Sequence, residues 1–249
     1  MGKFLIGMIH LPPMPGSVGY SGMDGIVEKA LLDLGTLERA GFDAALVEND
    51  NDRPQQIGIS REVEQAFRLV MGKIESQASI PVGLQAIYDM KKTIEIAAYS
   101  NAPFVRLDVF VDSVQTKWGK VLADPAKLAS MRSELAPNMK LFTDVHVKHG
   151  KMLERKTISE SVKQAVGFGS NGIIVTGRLT GIAPSSKKCA IAKKASNNTL
   201  IFVGSGLTIE NAPRLLSIAD GAIVGTSIKE GIYVSYAKAK ALADLVHSL

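Results

Sequence analysis

A chain of 249 residues with 46% apolar and 21% charged residues is long enough to bury its own core, and this composition excludes disorder. The net charge of +5 is modest and falls partly on lysine pairs (Lys91-Lys92, Lys187-Lys188, Lys193-Lys194) without interleaved aromatics, which argues against nucleic acid as a partner. The single cysteine, Cys189, excludes an internal disulfide and fits a reducing, cytoplasmic setting, and no apolar stretch approaches the ~20 residues of a membrane span, so lipid is expected at most at a surface.

Met1-Gly2-Lys3 leads straight into a strand pattern, with none of the marks of a signal peptide. The first short apolar run, Phe4–Ile9, closes on His10, which continues the Ile6, Met8 face and should point inward. Leu11–Asp24, rich in proline and glycine, is a candidate lid. Asp24–Arg39 repeats apolar residues at helical spacing and stops at Gly41, a helix-ending glycine. Ala44–Val47 follows and ends in Glu48-Asn49-Asp50, making Glu48 a first candidate for general base or metal ligand; Asn51–Ser60 is a second candidate lid. After a helix over Arg61–Gln77 comes Val82–Ile87, in which Gln85 is available to orient a hydroxyl or carbonyl. A helix over Lys91–Ala98 then gives way to Phe104–Val109, with Arg106 and Asp108 on one face.

Beyond a helix over Pro125–Leu135, the fifth run is Leu141–Val145. Read at a period of two to its end, it sets Asp144, His146 and Lys148 on one face. Ionisable groups so placed are costly unless paired or used. Asp144 and His146 could be acid/base partners or ligands for a divalent metal, with Glu48 completing the set; a polar network in the mouth is the plainer alternative. Strand four lies beside strand five in a barrel, so Asp108 can approach Asp144, and Arg106 either neutralises the pair or grips an anionic substrate. Lys148 and Thr176 are further candidates to touch a ligand.

Helices over Thr157–Val166, Pro184–Lys194, Ile209–Leu216 and Ser235–Val246 separate the remaining runs, Ile173–Val175, Leu200–Val203 and Ala222–Val224. Eight strands, each followed by a helix, predict one (β/α)8 barrel over residues 1–249, with its chemistry at the strands' carboxyl ends. There, Gly204-Ser205-Gly206 after strand seven and Gly225-Thr226-Ser227 after strand eight read as a backbone cradle for phosphate.

These strand-end phrases resemble the BtpA family. The matching stretches are Met8-Ile9-His10-Leu11-Pro12-Pro13-Met14-Pro15-Gly16, Val47-Glu48-Asn49, Asp144-Val145-His146-Val147-Lys148-His149, and Gly204-Ser205-Gly206 through Gly225-Thr226-Ser227. The resemblance spans nearly the whole chain. It implies a barrel with an enzyme-like mouth, and the family's name implies a role in photosystem I biogenesis. Asn49-Asp50-Asn51-Asp52, Leu107-Asp108-Val109 and Thr176-Gly177 depart from the usual pattern, and Asp108 adds a carboxylate to the mouth.

The leading expectation is an isomerase- or lyase-like enzyme acting on a small phosphorylated metabolite, of sugar-phosphate or phosphoribosyl type. Glu48, Asp108, Asp144, His146 and His10 would supply acid/base chemistry, with a divalent metal optional. A non-catalytic assembly or stability factor is the alternative, and FMN in the same cradle a less favoured one. A homodimer is expected only by analogy with other barrels.

Overall fold

The computed structural model describes residues 2–249. In chain order the elements are β1 (Phe4–His10), α1 (Met23–Ala40), β2 (Ala44–Glu48), α2 (Arg61–Glu75), β3 (Val82–Gln85), α3 (Met90–Tyr99), β4 (Phe104–Leu107), β5 (Val114–Thr116), β6 (Gly119–Val121) and α4 (Pro125–Leu135). Then come β7 (Lys140–Val145), β8 (Lys151–Met152), α5 (Ile158–Gly167), β9 (Gly172–Val175), α6 (Ser186–Ala195), β10 (Leu200–Val203), α7 (Ala212–Leu216) and β11 (Gly221–Val224). A 3-10 turn (Thr226–Ile228), β12 (Lys229–Glu230), β13 (Tyr233–Val234) and α8 (Tyr236–His247) complete the chain. Eight parallel strands close in the order β1-β11-β10-β9-β7-β4-β3-β2, the (β/α)8 barrel that the alternation of runs predicts.

The helices start and stop where local chemistry tells them to. Side chains of Ser60, Asp89, Asp124, Thr157 and Ser185 each accept a backbone N–H at a helix start, and Thr157 with Glu160 forms a full capping box. Gly41 ends α1 in the left-handed region, at φ 86°.

Two-residue alternation divides the barrel interior into a dry half and a polar half. Phe104, Phe142 and Phe202 stack near the bottom with ring centroids 5.2 and 5.1 Å apart, among Ile6, Leu46, Ile174 and Ile223. Glycines on neighbouring strands make room for the rings. Phe142 stands opposite Gly172 and Phe202 opposite Gly221. A Cβ on Gly83 would fall 2.2 Å from Phe104 Cε2.

Two expectations need correction. The third and fourth strands stop at Gln85 and Leu107, short of Ile87 and Val109, because side chains take over the backbone: Asn49 Oδ1 accepts Ile87 N–H at 3.0 Å and Asp108 Oδ2 accepts Tyr88 N–H at 3.3 Å. The two candidate lids are laced into one wall. Met14 N–H donates to Asp52 Oδ1 at 2.8 Å, Val18 N–H to the Arg53 carbonyl at 2.9 Å, and Asn51 Nδ2 to the Leu11 carbonyl at 2.6 Å. The connection after β4, where the sequence marks no element, carries β5 and β6, which join β8 from the connection after β7 in a three-stranded antiparallel sheet, β6-β5-β8, above the mouth.

Substituting Gly83→Ala forces a methyl into the Phe104 ring and should destabilise the fold by about 1–3 kcal/mol in urea unfolding, as overpacked cores do. Adding Phe104→Leu should recover part of that loss; a wild-type midpoint for Gly83→Ala alone would refute the role given to the glycines.

Candidate functional site

Above the aromatic floor, the same inward positions turn polar. His10 stands beside Glu48, and Glu48 beside Gln85, in one register row. Arg106 lies at the centre. Its Nε and Nη2 donate to Asp144 Oδ1 and Oδ2 at 2.8 and 2.9 Å, and its Nη1 comes within 3.6 Å of Glu48 Oε2. Burial opposes the guanidinium's charge, but Asp144, then Glu48 and Asp108, more than offset it and hold the group protonated. Asp144 is therefore Arg106's anchor, fully enclosed, and lines neither cavity described below.

A cavity of about 500 Å³ opens above this layer. Glu48 and Asp50 border it from β2, Gln85, Ile87 and Tyr88 from β3, and Asp108 from β4. Trp118 and Lys117 reach it from the β5–β6 turn, Val147, Lys148 and His149 from beyond β7, and Thr180 from beyond β9. Three buried acceptors on its wall have no hydrogen-bond partner among the described residues: Glu48 Oε2, which has only the 3.6 Å approach of Arg106 Nη1, Gln85 Oε1 and Asp108 Oδ1. Burial pushes the Glu48 carboxyl up to about 7, against the pull of Arg106. Burial, reinforced by Asp144, likewise raises Asp108 to about 7. Burial lowers Lys148, helped by Arg106, so its ammonium yields a proton more readily than an exposed lysine.

A second, narrow space of about 30 Å³ adjoins the first, sharing Glu48, Asp50, Arg106, Lys148 and Thr180 as walls. Its far side is Gly204-Ser205-Gly206 with Gly225 and Thr226, the two turns that the sequence marks as a cradle. The amides of Ser205 and Gly206 have no hydrogen-bond partner among the described residues. The glycines, however, are required by protein contacts. Gly206 has φ 65°, and a Cβ there would meet Ala183 N at 2.3 Å; at Gly204 it would meet Ile174 Cγ2 at 2.3 Å. Ser205 is not a free hydroxyl donor either, since its Oγ accepts from Gly177 N–H and donates to the Ile182 carbonyl, both at 2.9 Å. Thr176 and Ser227 lie outside both cavity walls, each with an enclosed hydroxyl oxygen that has no partner. Residues 177–183 thus leave the cradle a space of about 30 Å³, far smaller than the adjoining cavity.

His10 borders the cradle, and its Nδ1 lies 2.6 Å from the Lys229 ammonium. Burial and that neighbour hold the imidazole well below its ordinary pKa, hence neutral, and burial brings Lys229 to about 8. With Lys229 donating to Nδ1, the ring proton sits on Nε2.

His146 departs from its expected place. Its backbone turns to φ 50°, which ends the two-residue alternation, and its N–H donates to the buried Asp112 Oδ2 at 2.9 Å. His146 consequently lines neither cavity, while Lys148 and His149 swing into the larger one, and His149 Nε2 meets Thr180 Oγ1 at 2.9 Å across the mouth. Glu48, Asp144 and His146 are not gathered as a ligand set. No group of three His, Cys, Asp or Glu side chains among the described residues is arranged to hold a metal ion. Reasoning from sequence missed Asp50, Tyr88, Lys117, Trp118, His149 and Lys229. His149 and Asp50 stood in phrases already singled out, whereas Trp118 and Tyr88 carried no periodic signal.

The BtpA family matches residues 1–248. The chain belongs to this family. An uncharacterized protein of Thermococcus kodakarensis is 36% identical over 258 residues, covering 99% of this chain and 96% of that protein. The photosystem I biogenesis protein BtpA of a Synechocystis strain is 29% identical over 229 residues, covering 90% and 80%. Among solved structures, tryptophan synthase of Mycobacterium tuberculosis superposes with a TM-score of 0.66 at 18% identity, covering 99% of this chain and 93% of that one. The (S)-3-O-geranylgeranylglyceryl phosphate synthase of Thermoplasma acidophilum, solved with sn-glycerol-1-phosphate, reaches 0.64 at 15%, covering 100% and 94%. These likenesses establish the barrel. No described helix is long and apolar enough to cross a membrane.

Two outcomes follow from the ionic layer. Arg106→Met leaves Asp144 and Glu48 enclosed without their cation and should cost about 3–5 kcal/mol in denaturant unfolding, part of it restored by a second change, Asp144→Asn. Glu48 and Asp108 have folded pKa values above their unfolded ones, so the native state binds more protons between about pH 4 and 7 and loses stability as pH rises through that window. The Glu48→Gln, Asp108→Asn protein should show a flatter stability profile there than wild type; parallel profiles would refute the raised pKa values.

Proposed function

We propose that this BtpA-family barrel is an enzyme that binds a small phosphorylated metabolite and moves a proton at its carbon skeleton, in an isomerase- or lyase-type reaction. One observation carries the reading: a glycine-walled recess with unpartnered amides adjoins a cavity holding two carboxyls raised to about 7, each with one enclosed oxygen that accepts no hydrogen bond among the described residues. Groups with a pKa near the working pH make the most effective general acids and bases. Glu48 borders both spaces and is the candidate to take the proton; Asp108, in the larger cavity, is the candidate to return one.

Arg106 and Lys148 stand between the cradle and the carboxyls, where a developing enolate or alkoxide needs positive charge. Phosphate held at Ser205, Gly206 and Thr226 fixes the position of the reacting carbon, so binding energy remote from the chemistry lowers its barrier. His10, neutral and protonated on Nε2, is suited to donate a hydrogen bond to the phosphate. The Synechocystis relative, a photosystem I biogenesis protein, raises a non-catalytic role in biogenesis instead. Enclosed carboxyl oxygens facing a cavity of about 500 Å³ serve a small ligand better than a docking surface.

Sugar phosphates at millimolar concentration should raise the melting temperature, as ligands that bind only the native state do. Once a turned-over substrate is found in that set, Glu48→Gln and Asp108→Asn should each lower kcat by about 10²–10⁴. If no phosphorylated compound raises the melting temperature, the reading fails.

A further inference from the structure

The positions of the strands around the barrel constrain the ligand further. In the closed order, β10 and β11, which carry the cradle, stand diametrically across from β3 and β4. From that opposite side come Gln85 and Asp108, and above them the β5–β6 turn brings in Trp118. A ligand anchored by phosphate at the cradle therefore crosses the mouth, over Arg106, to reach them. Near the centre the wall offers the unpartnered acceptors Gln85 Oε1 and Asp108 Oδ1, which call for hydrogen-bond donors such as hydroxyls. The same wall also carries Ile87, Tyr88, Val147 and the Trp118 indole, the apolar and aromatic share of a lining that is otherwise polar.

Trp118 is held in place for such a role. Its backbone N–H donates to Thr116 Oγ1 at 3.1 Å, which fixes the turn, the same hydroxyl donates to the Gly119 carbonyl at 2.9 Å, and the Lys117 ammonium lies 4.4 Å from the indole centroid. The turn also abuts Ile57, since a Cβ on Gly119 would come within 2.9 Å of Ile57 Cδ1. A cavity of about 500 Å³ falls within the usual range for pockets that enclose a drug-sized molecule, roughly 300–1,000 Å³, which leaves space beyond a bare sugar phosphate.

We infer that the ligand is a phosphorylated ribosyl compound bearing a planar ring, with phosphate at Gly204–Gly206 and Gly225–Thr226, ribose hydroxyls at Gln85 and Asp108, and the ring against Trp118. This rests on the phosphate reading above and adds the far end of the molecule. Stacking on an indole holds a flat ring without demanding one particular pattern of polar atoms.

Trp118 is the chain's one tryptophan, so intrinsic fluorescence reports on this wall alone. Wild-type protein titrated with ribose 5-phosphate, uridine and adenosine 5′-monophosphates, adenosine and FMN separates the cases, with affinities taken from calorimetry and fluorescence. The nucleoside monophosphates should quench Trp118 and bind at least tenfold more tightly than either ribose 5-phosphate or adenosine. Trp118→Ala should remove the advantage over ribose 5-phosphate, and Trp118→Phe should restore most of it. If the monophosphates bind no better than ribose 5-phosphate, or keep their advantage in Trp118→Ala, the ring site is overturned while the phosphate reading stands. Tightest binding by FMN, with a yellow complex, would overturn the ribosyl assignment in favour of a ribityl chain. Failure of every phosphorylated compound to bind would remove both readings.

Discussion

The bidentate pair between Arg106 and Asp144 sets the electrostatics of the whole mouth. A guanidinium enclosed at the barrel axis can remain there only if a carboxylate shares its burial, and Asp144 meets it with two hydrogen bonds at 2.8 and 2.9 Å. That geometry commits the Nε–Nη2 edge to Asp144 and leaves Glu48 the more distant Nη1, at 3.6 Å. Glu48 is thus only partly compensated, and Asp108 feels Asp144's negative charge as well as Arg106's positive one. Burial therefore raises both carboxyls to about 7, and Arg106, committed to Asp144, offsets that rise only in part. A lysine at position 106 could not divide its charge in this way, because a compact ammonium has no planar fork to commit to one partner and point at another.

The aromatic floor gives that layer its height and its dryness. Phe104, Phe142 and Phe202 fill the lower barrel across glycines on the adjacent strands. Two residues further along β4 and β7 stand Arg106 and Asp144, and two residues beyond Phe202 stands Gly204. Alternation along each strand thus carries the inner face from aromatic to functional in a single step. Water is excluded from below, which is why burial dominates the shifts of Glu48 and Asp108.

Much of this was legible in the sequence, for identifiable reasons. Strands buried on both faces appear as short apolar runs, and crossover helices appear as 3.6-residue periodicity between them. Glu48, Arg106 and Asp108 were found because strand ends in such a barrel carry chemistry and a period of two says which residues face inward. His146 was misplaced by the same rule. The alternation fails there because Asp112, 34 residues earlier, binds its backbone N–H, and nothing local to Asp144–His149 announces that bond. Ser205 and Gly206 border the recess, as their turn suggests, but nothing in it announces that loop 177–183 crowds Gly206 and engages the Ser205 hydroxyl from both sides. Long-range contacts of this kind leave no periodic trace. The sheet above the mouth was invisible for a related reason: β8 pairs with β5 across the whole of α4 and β7, and each strand is only two or three residues long.

The likenesses to solved barrels extend to the fold and stop there, since one barrel supports many chemistries through its loops. What distinguishes this member lies in the loops that differ most from a minimal barrel. Asn49 ties the second loop to the third through Ile87 and to Asp52, while Asp52 in turn fastens the first loop at Met14. Those bonds convert three mobile connections into a rigid wall on the β1–β3 side of the mouth. On the β9 side, loop 177–183 is held from elsewhere: the Ser205 hydroxyl bonds Gly177 N–H and the Ile182 carbonyl, and Thr180 meets His149 across the mouth. Glu48 and Gln85 therefore stand on a wall tied together through Asn49 and Asp52, facing a loop joined to the strand-seven turn through one hydroxyl. Such cross-linking preorganises the β1–β3 wall, which is what the proposed proton transfer would draw on.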